Sequence, residues 1–158
     1  MDITTAIIGL VMLGIFVVPI AILNAGSKKK ALIAELKDLA TQNEREIAEH
    51  DTGEQFAIGI SSTKDQVFFI RKEAKEYQVF KSNIPLKLIS DCVLHTQYRD
   101  NKSQHSNGKG LEKLEISFKS SSQKLNKTTW LLYDASSDKA DNALELGEKW
   151  VSVIQKAL

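Results

Sequence analysis

The chain holds one cysteine, Cys92, and a histidine, His95, stands three positions after it. A thiol beside an imidazole is the pairing for nucleophilic catalysis, the histidine taking the thiol proton. In an extended strand, however, a spacing of three places the two side chains on opposite faces. The pair therefore reads as a small core residue and a surface histidine. His50, His105, Cys92 and the acidic residues show no metal-ligand spacing of the CxxC or HExxH kind, so no metal is expected. Gly108 and Gly110 in "SNGKGLEK" lack the glycine spacing and the strand–loop–helix setting of a phosphate cradle. The carboxylates fall on polar faces or at helix starts, where solvation explains them. No catalytic constellation and no cofactor site emerge, and a non-enzymatic role is the expectation.

Cations offer the other chemistry, recognition of anionic groups. Lys28, Lys29 and Lys30 form one cluster, and Arg99, Lys102, His105 and Lys109 form a second in the polar stretch "RDNKSQHSNGKG". The formal net charge is only +1 with 26% charged residues, which argues against a dedicated nucleic-acid binder. The single cysteine rules out an intramolecular disulfide. Asn101 and Asn126 open glycosylation sequons, which a cytoplasmic domain would never present to the transferase.

The elements that must position these groups begin with an apolar run. From Ile3 to Ser27 there is no charged side chain, and ~20 apolar residues suffice to cross a bilayer. A cleaved signal peptide would want a basic leading segment and a shorter apolar core, whereas Asp2 leads here. Residues 1–27 are thus expected to be a transmembrane anchor. The lysines at 28–30 place the following chain on the cytoplasmic side of an inner membrane, with the N-terminus outside. They would sit at the membrane interface, each contributing about 1 kcal/mol on an anionic surface.

Residues 28–50 read as a helix with Leu32, Leu36, Leu39, Asn43 and Ile47 in a narrow stripe. That stripe would either pack on the downstream domain or self-associate as a coiled coil with Asn43 in the seam. After Gly53 the period changes to two. "FAIGIS", "QVFFIRK", "EYQVFK", "LKLISDCVLHTQY", "LEKLEISFK" and "TTWLLYD" read as closely spaced antiparallel strands. A helix is expected over about 137–157, capped by Ser136 or Ser137. Ala140, Ala143, Gly147, Trp150, Val151 and Ile154 would share one face. Gly147 costs about 1 kcal/mol against alanine in a helix, which suggests close approach to the sheet.

Six or seven antiparallel strands closed by a C-terminal helix bearing a tryptophan resemble the pleckstrin-homology-like superfold, and Trp150 matches the residue that anchors that helix. The stretch "NIPLKLISDCVLHTQ" also looks like one of its strands. The layout is similar to that of small bacterial single-span membrane proteins of unassigned function. The resemblance implies an α+β fold: a transmembrane helix, a juxtamembrane helix or linker over 28–53, then a bent sheet or partial barrel over 54–158 capped by the helix. Six strands are clear where the family has seven. Its basic loop is here "SSTKD", with Lys64 alone and Asp65 beside it, so inositol-phosphate binding is not carried over. The expected function is a membrane-anchored cytoplasmic interaction module, an accessory or scaffold component of a membrane protein assembly. The alternative is a reader of anionic lipid headgroups through Lys28–Lys30 and the 99–109 loop, in which Arg99, Lys102 and Lys109 would contact lipid or partner.

Overall fold

Strand "FAIGIS" shows why the chain folds as it does: every one of its residues is buried, so both of its faces must meet apolar layers. The computed structural model describes residues 26–73, 79–99, 110–121, 128–138 and 142–158. Two compact units divide the chain, Met1–Ala31 and Leu32–Leu158. Of the first, Gly26–Ala31 are described, helical and exposed.

The second unit continues helix α1, described over 26–42, followed by β1 (Ile47–Thr52), β2 (Phe56–Ser61), β3 (Gln66–Lys72) and β4 (Val79–Pro85). These four strands form one antiparallel sheet in sequential order. A 3-10 turn at Leu86–Leu88 leads into β5 (Ile89–Arg99), β6 (Gly110–Ser120) and β7 (Thr128–Asp134), a second antiparallel sheet of three strands. Helix α2 (Ala143–Ala157) closes the chain.

Alternation sorts the side chains of the first sheet into two layers. Phe56, Ile58, Ile60, Val67 and Phe69 point into the main core with Leu114, Ile116, Phe118, Trp130 and Leu132 of the second sheet and Trp150 and Ile154 of α2. Ala57, Phe68 and Ile70 point the other way and meet Leu32, Leu36 and Ala40 of α1. Those three α1 residues recur every four positions, one stripe of a helix. In the main core Trp130 stacks on Phe69 with centroids 4.9 Å apart and takes Phe118 edge-on at 4.5 Å.

Of the two expectations for the leucine stripe, the structure shows packing on the chain's own sheet. Asn43 bonds back to the Leu39 carbonyl at 2.8 Å and accepts from Asn83 Nδ2 of β4 at 3.0 Å. The expected helix to residue 50 is corrected, because β1 already runs from Ile47. Its polar sequence, IAEHDT, pairs with β2 through a register shift between Ile47 and Glu49.

Three further corrections follow. The strands form two sheets, not one bent sheet or partial barrel, because a 3-10 turn after Pro85 breaks the ladder between β4 and β5. Among the described residues no helix is long and apolar enough to cross a membrane. The transmembrane expectation for 1–27 falls almost wholly on residues 1–25, outside the described residues. The helix that is described from Gly26 carries exposed Lys28, Lys29 and Lys30, which follow the expected span. With no spanning helix among the described residues, the anchor, and with it the inner-membrane location and the outward N-terminus, finds no support in the fold. The start of α2 also differs. It begins at Ala143, and Ser136, Ser137 and Asp138 instead build a turn after β7, with Ser136 bonded to Asp134 and the Asp134 N–H donating to Asp138 at 2.8 Å.

Candidate interaction surfaces

Cys92 and His95 are not brought together. Cys92 lies opposite Phe118 in the core and His95 opposite Glu115 on the outer face. The thiol is fully buried, sits 3.7 Å from the Val151 carbonyl, and burial pushes its pKa up to about 11. It is a protonated packing group, unsuited to attack at neutral pH. Among the described residues no group of three or more His, Cys, Asp or Glu could hold a metal ion.

The cationic clusters fare differently. Lys28, Lys29 and Lys30 are exposed and belong to the first compact unit. Arg99, at the end of β5, is engaged by Glu112 of β6 at 2.9 Å, and Gln97 donates to the same carboxylate at 3.1 Å. Lys102, His105 and Lys109 lie outside the described residues. The basic loop thus loses its one described arginine to a cross-strand pair.

Trp150 is fully buried on the inner face of α2. Two polar devices escaped the sequence, the first of them around this residue. Asp51 Oδ2 of β1 accepts from Trp150 Nε1 at 2.9 Å and from Lys149 Nζ at 2.6 Å, and Lys149 also reaches Glu49 at 3.1 Å. The Asp51 bond raises the Lys149 pKa. Elsewhere, Arg71 at the end of β3 is 4% exposed and forks onto Asp138 at 2.9 and 3.1 Å, while its other terminal nitrogen donates to the Leu132 carbonyl at 3.1 Å. The signal for the first was a Glu–x–Asp alternation along one face of β1. For the second none existed, since "FFIRK" gives the arginine every look of a solvated strand end.

Among the described residues, β5 stands as an open edge of the second sheet. Within the described residues this strand, 11 residues long, pairs only with β6. Gln155 Nε2 of α2 donates to the Cys92 carbonyl at 3.0 Å, so Cys92 turns its main chain away from β6. Antiparallel alternation then points the main chain of Leu94 and Thr96 toward the same open side. Val93 and Tyr98, two of the four large apolar residues that stand exposed among the described residues, lie on this strand at 45% and 49% exposure. From Ser90 to Tyr98 it carries no lysine or proline, the residues that usually guard an edge. The free edge of β4 has both, Lys81 and Pro85. Comparison of the chain with family models, with curated proteins and with solved structures gives no match.

Proposed function

We propose that the chain is a non-enzymatic interaction module of the pleckstrin-homology-like type, binding a protein partner by adding an extended segment to the β5 edge. Antiparallel sheets of four and three strands followed by a helix carrying a buried tryptophan support the kinship. The unguarded β5 edge is the single observation that carries the binding mode. Backbone donors and acceptors at Leu94 and Thr96 would supply affinity, and Val93 and Tyr98 would read alternate side chains of the guest strand.

Panning a random peptide library on the full chain tests the proposal. Selected peptides should be extended and should shift the amide resonances of Leu94, Thr96 and Tyr98. Thr96→Pro removes one edge donor while leaving the β5–β6 ladder intact, since edge positions tolerate proline, and should abolish binding with little change in melting temperature. Peptides that bind the proline variant as well as the parent would defeat the proposal.

A further inference from the structure

On one flank of α2 a cleft of about 190 Å³ opens between the helix and the first sheet. Its lining is Glu49, Ile60, Lys64, Val153, Lys156 and Ala157, and the volume is below the ~300–1,000 Å³ of drug-sized ligand sites, which limits an occupant to a small molecule. Ile60, Val153 and Ala157 make an apolar floor.

Charge stands at the rim and is uneven. Glu49 is already held by Lys149 at 3.1 Å. Lys64 and Lys156 form no ion pair among the described residues. Lys64 is fixed on the turn between β2 and β3 at φ 53°, in a left-handed conformation that a side chain other than glycine, asparagine or aspartate seldom adopts. Asp65 stabilises that turn, accepting from Ser61, Thr63 and Arg45. Lys156 lies in the last turn of α2, where helix carbonyls contribute negative potential. A second lysine from another element tips the balance at the cleft toward an anion.

We infer that this cleft is a binding site for a small aliphatic monocarboxylate, its chain on Ile60, Val153 and Ala157 and its carboxylate between Lys64 and Lys156. A single negative charge matches the net positive charge left by Lys64 and Lys156 against Glu49 in the lining. The short apolar floor matches a stem of a few methylenes, not a long acyl chain. This site is separate from the β5 edge and does not depend on what binds there.

The test is titration of the full chain with octanoate, followed by methyl resonances of Ile60, Val153 and Ala157, with octanol as the uncharged control and a leucine-terminated tripeptide as a competitor. Saturable shifts confined to these methyls, below the concentration at which octanoate forms micelles, are expected. Octanol should bind more weakly, and Lys64→Ala and Lys156→Ala should each weaken octanoate by about tenfold, the weight of a charge-assisted hydrogen bond. Equal binding of octanol, shifts only above micelle formation, unchanged affinity in both lysine variants or tighter binding of the tripeptide would each overturn the inference. Ile60→Leu, which keeps the apolar floor, should retain binding.

Discussion

Trp150 donates its indole N–H to Asp51 across 2.9 Å, so the last helix is fastened to the first strand by a residue that is otherwise wholly sunk in the core. The bond satisfies the one polar atom of the indole, and Lys149 balances the charge of its acceptor at 2.6 Å. Packing and polarity act on the same residue here. Trp150→Ala should cost about 3–5 kcal/mol, the usual range for emptying a buried aromatic site. Trp150→Phe keeps most of the apolar contact and loses the donor, and about 1–2 kcal/mol is expected. Urea unfolding of both variants checks the ranking.

Arg71 and Asp138 form the buried counterpart of that fastening, with side chains 5% and 4% exposed. Arg71→Met alone should destabilise by about 3–5 kcal/mol, because Asp138 keeps its burial and loses its cation. Combining it with Asp138→Leu should recover part of the loss. A double variant no more stable than the single one would mean that the Asp134 N–H and Ser137 hydroxyl, which also donate to Asp138, matter more than the arginine.

The acid limb of stability should be shaped by Asp65. Bonds from Arg45, Thr63 and Ser61 hold its carboxyl well below the usual carboxylate range, and Ser136 does the same for Asp134. A depressed folded value means that the contribution is complete above the unfolded value of about 3.9 and is lost as pH falls through the folded one. Asp65→Asn should therefore flatten the fall in melting temperature below about pH 4. Both partners are more than a third exposed, so the difference should shrink with added salt.

Gly147 offers a test of close packing. A Cβ there would lie 2.9 Å from Leu94 Cδ1, 3.2 Å from Leu114 Cδ2 and 3.3 Å from Leu132 Cδ2. Alanine gains about 1 kcal/mol of helix propensity, against about 1–3 kcal/mol for crowding a filled core. Gly147→Ala should be destabilising by about 1 kcal/mol, and Gly147→Leu by considerably more. A stabilised alanine variant would show that the three leucines yield freely.

Much of this architecture was visible in the chain, for reasons the same residues explain. Phe56, Ile58 and Ile60 alternate because one face of β2 lines the main core, and Gly147 stood out as a costly residue inside a helix pattern. On α2, Ala143, Gly147, Trp150 and Ile154 are buried as expected, while buried Leu146 was not assigned to that face and Ala140 lies outside the described residues. β1 was missed because its polar face is spent on Lys149, leaving Glu49, His50 and Asp51 where apolar residues would have marked a strand. The division into two sheets was also hidden, since Leu86 and Leu88 look like strand residues and nothing local announces the 3-10 turn between them. The β5 edge could not be read, because a free edge is defined by the strand that is missing beside it.

The double cover of β2 and β3 has a consequence for how the molecule opens. Their amides are shielded by α1 on one side and by the main core on the other. Deuterium should therefore enter Ile58 and Phe69 only through global unfolding, whereas Leu94 and Thr96 should exchange through small local excursions. Ala57 and Phe68 should join the slow class only while α1 is seated, so that weakening it with Leu36→Ala would release those protons first and make exchange rate a direct gauge of the helix's grip.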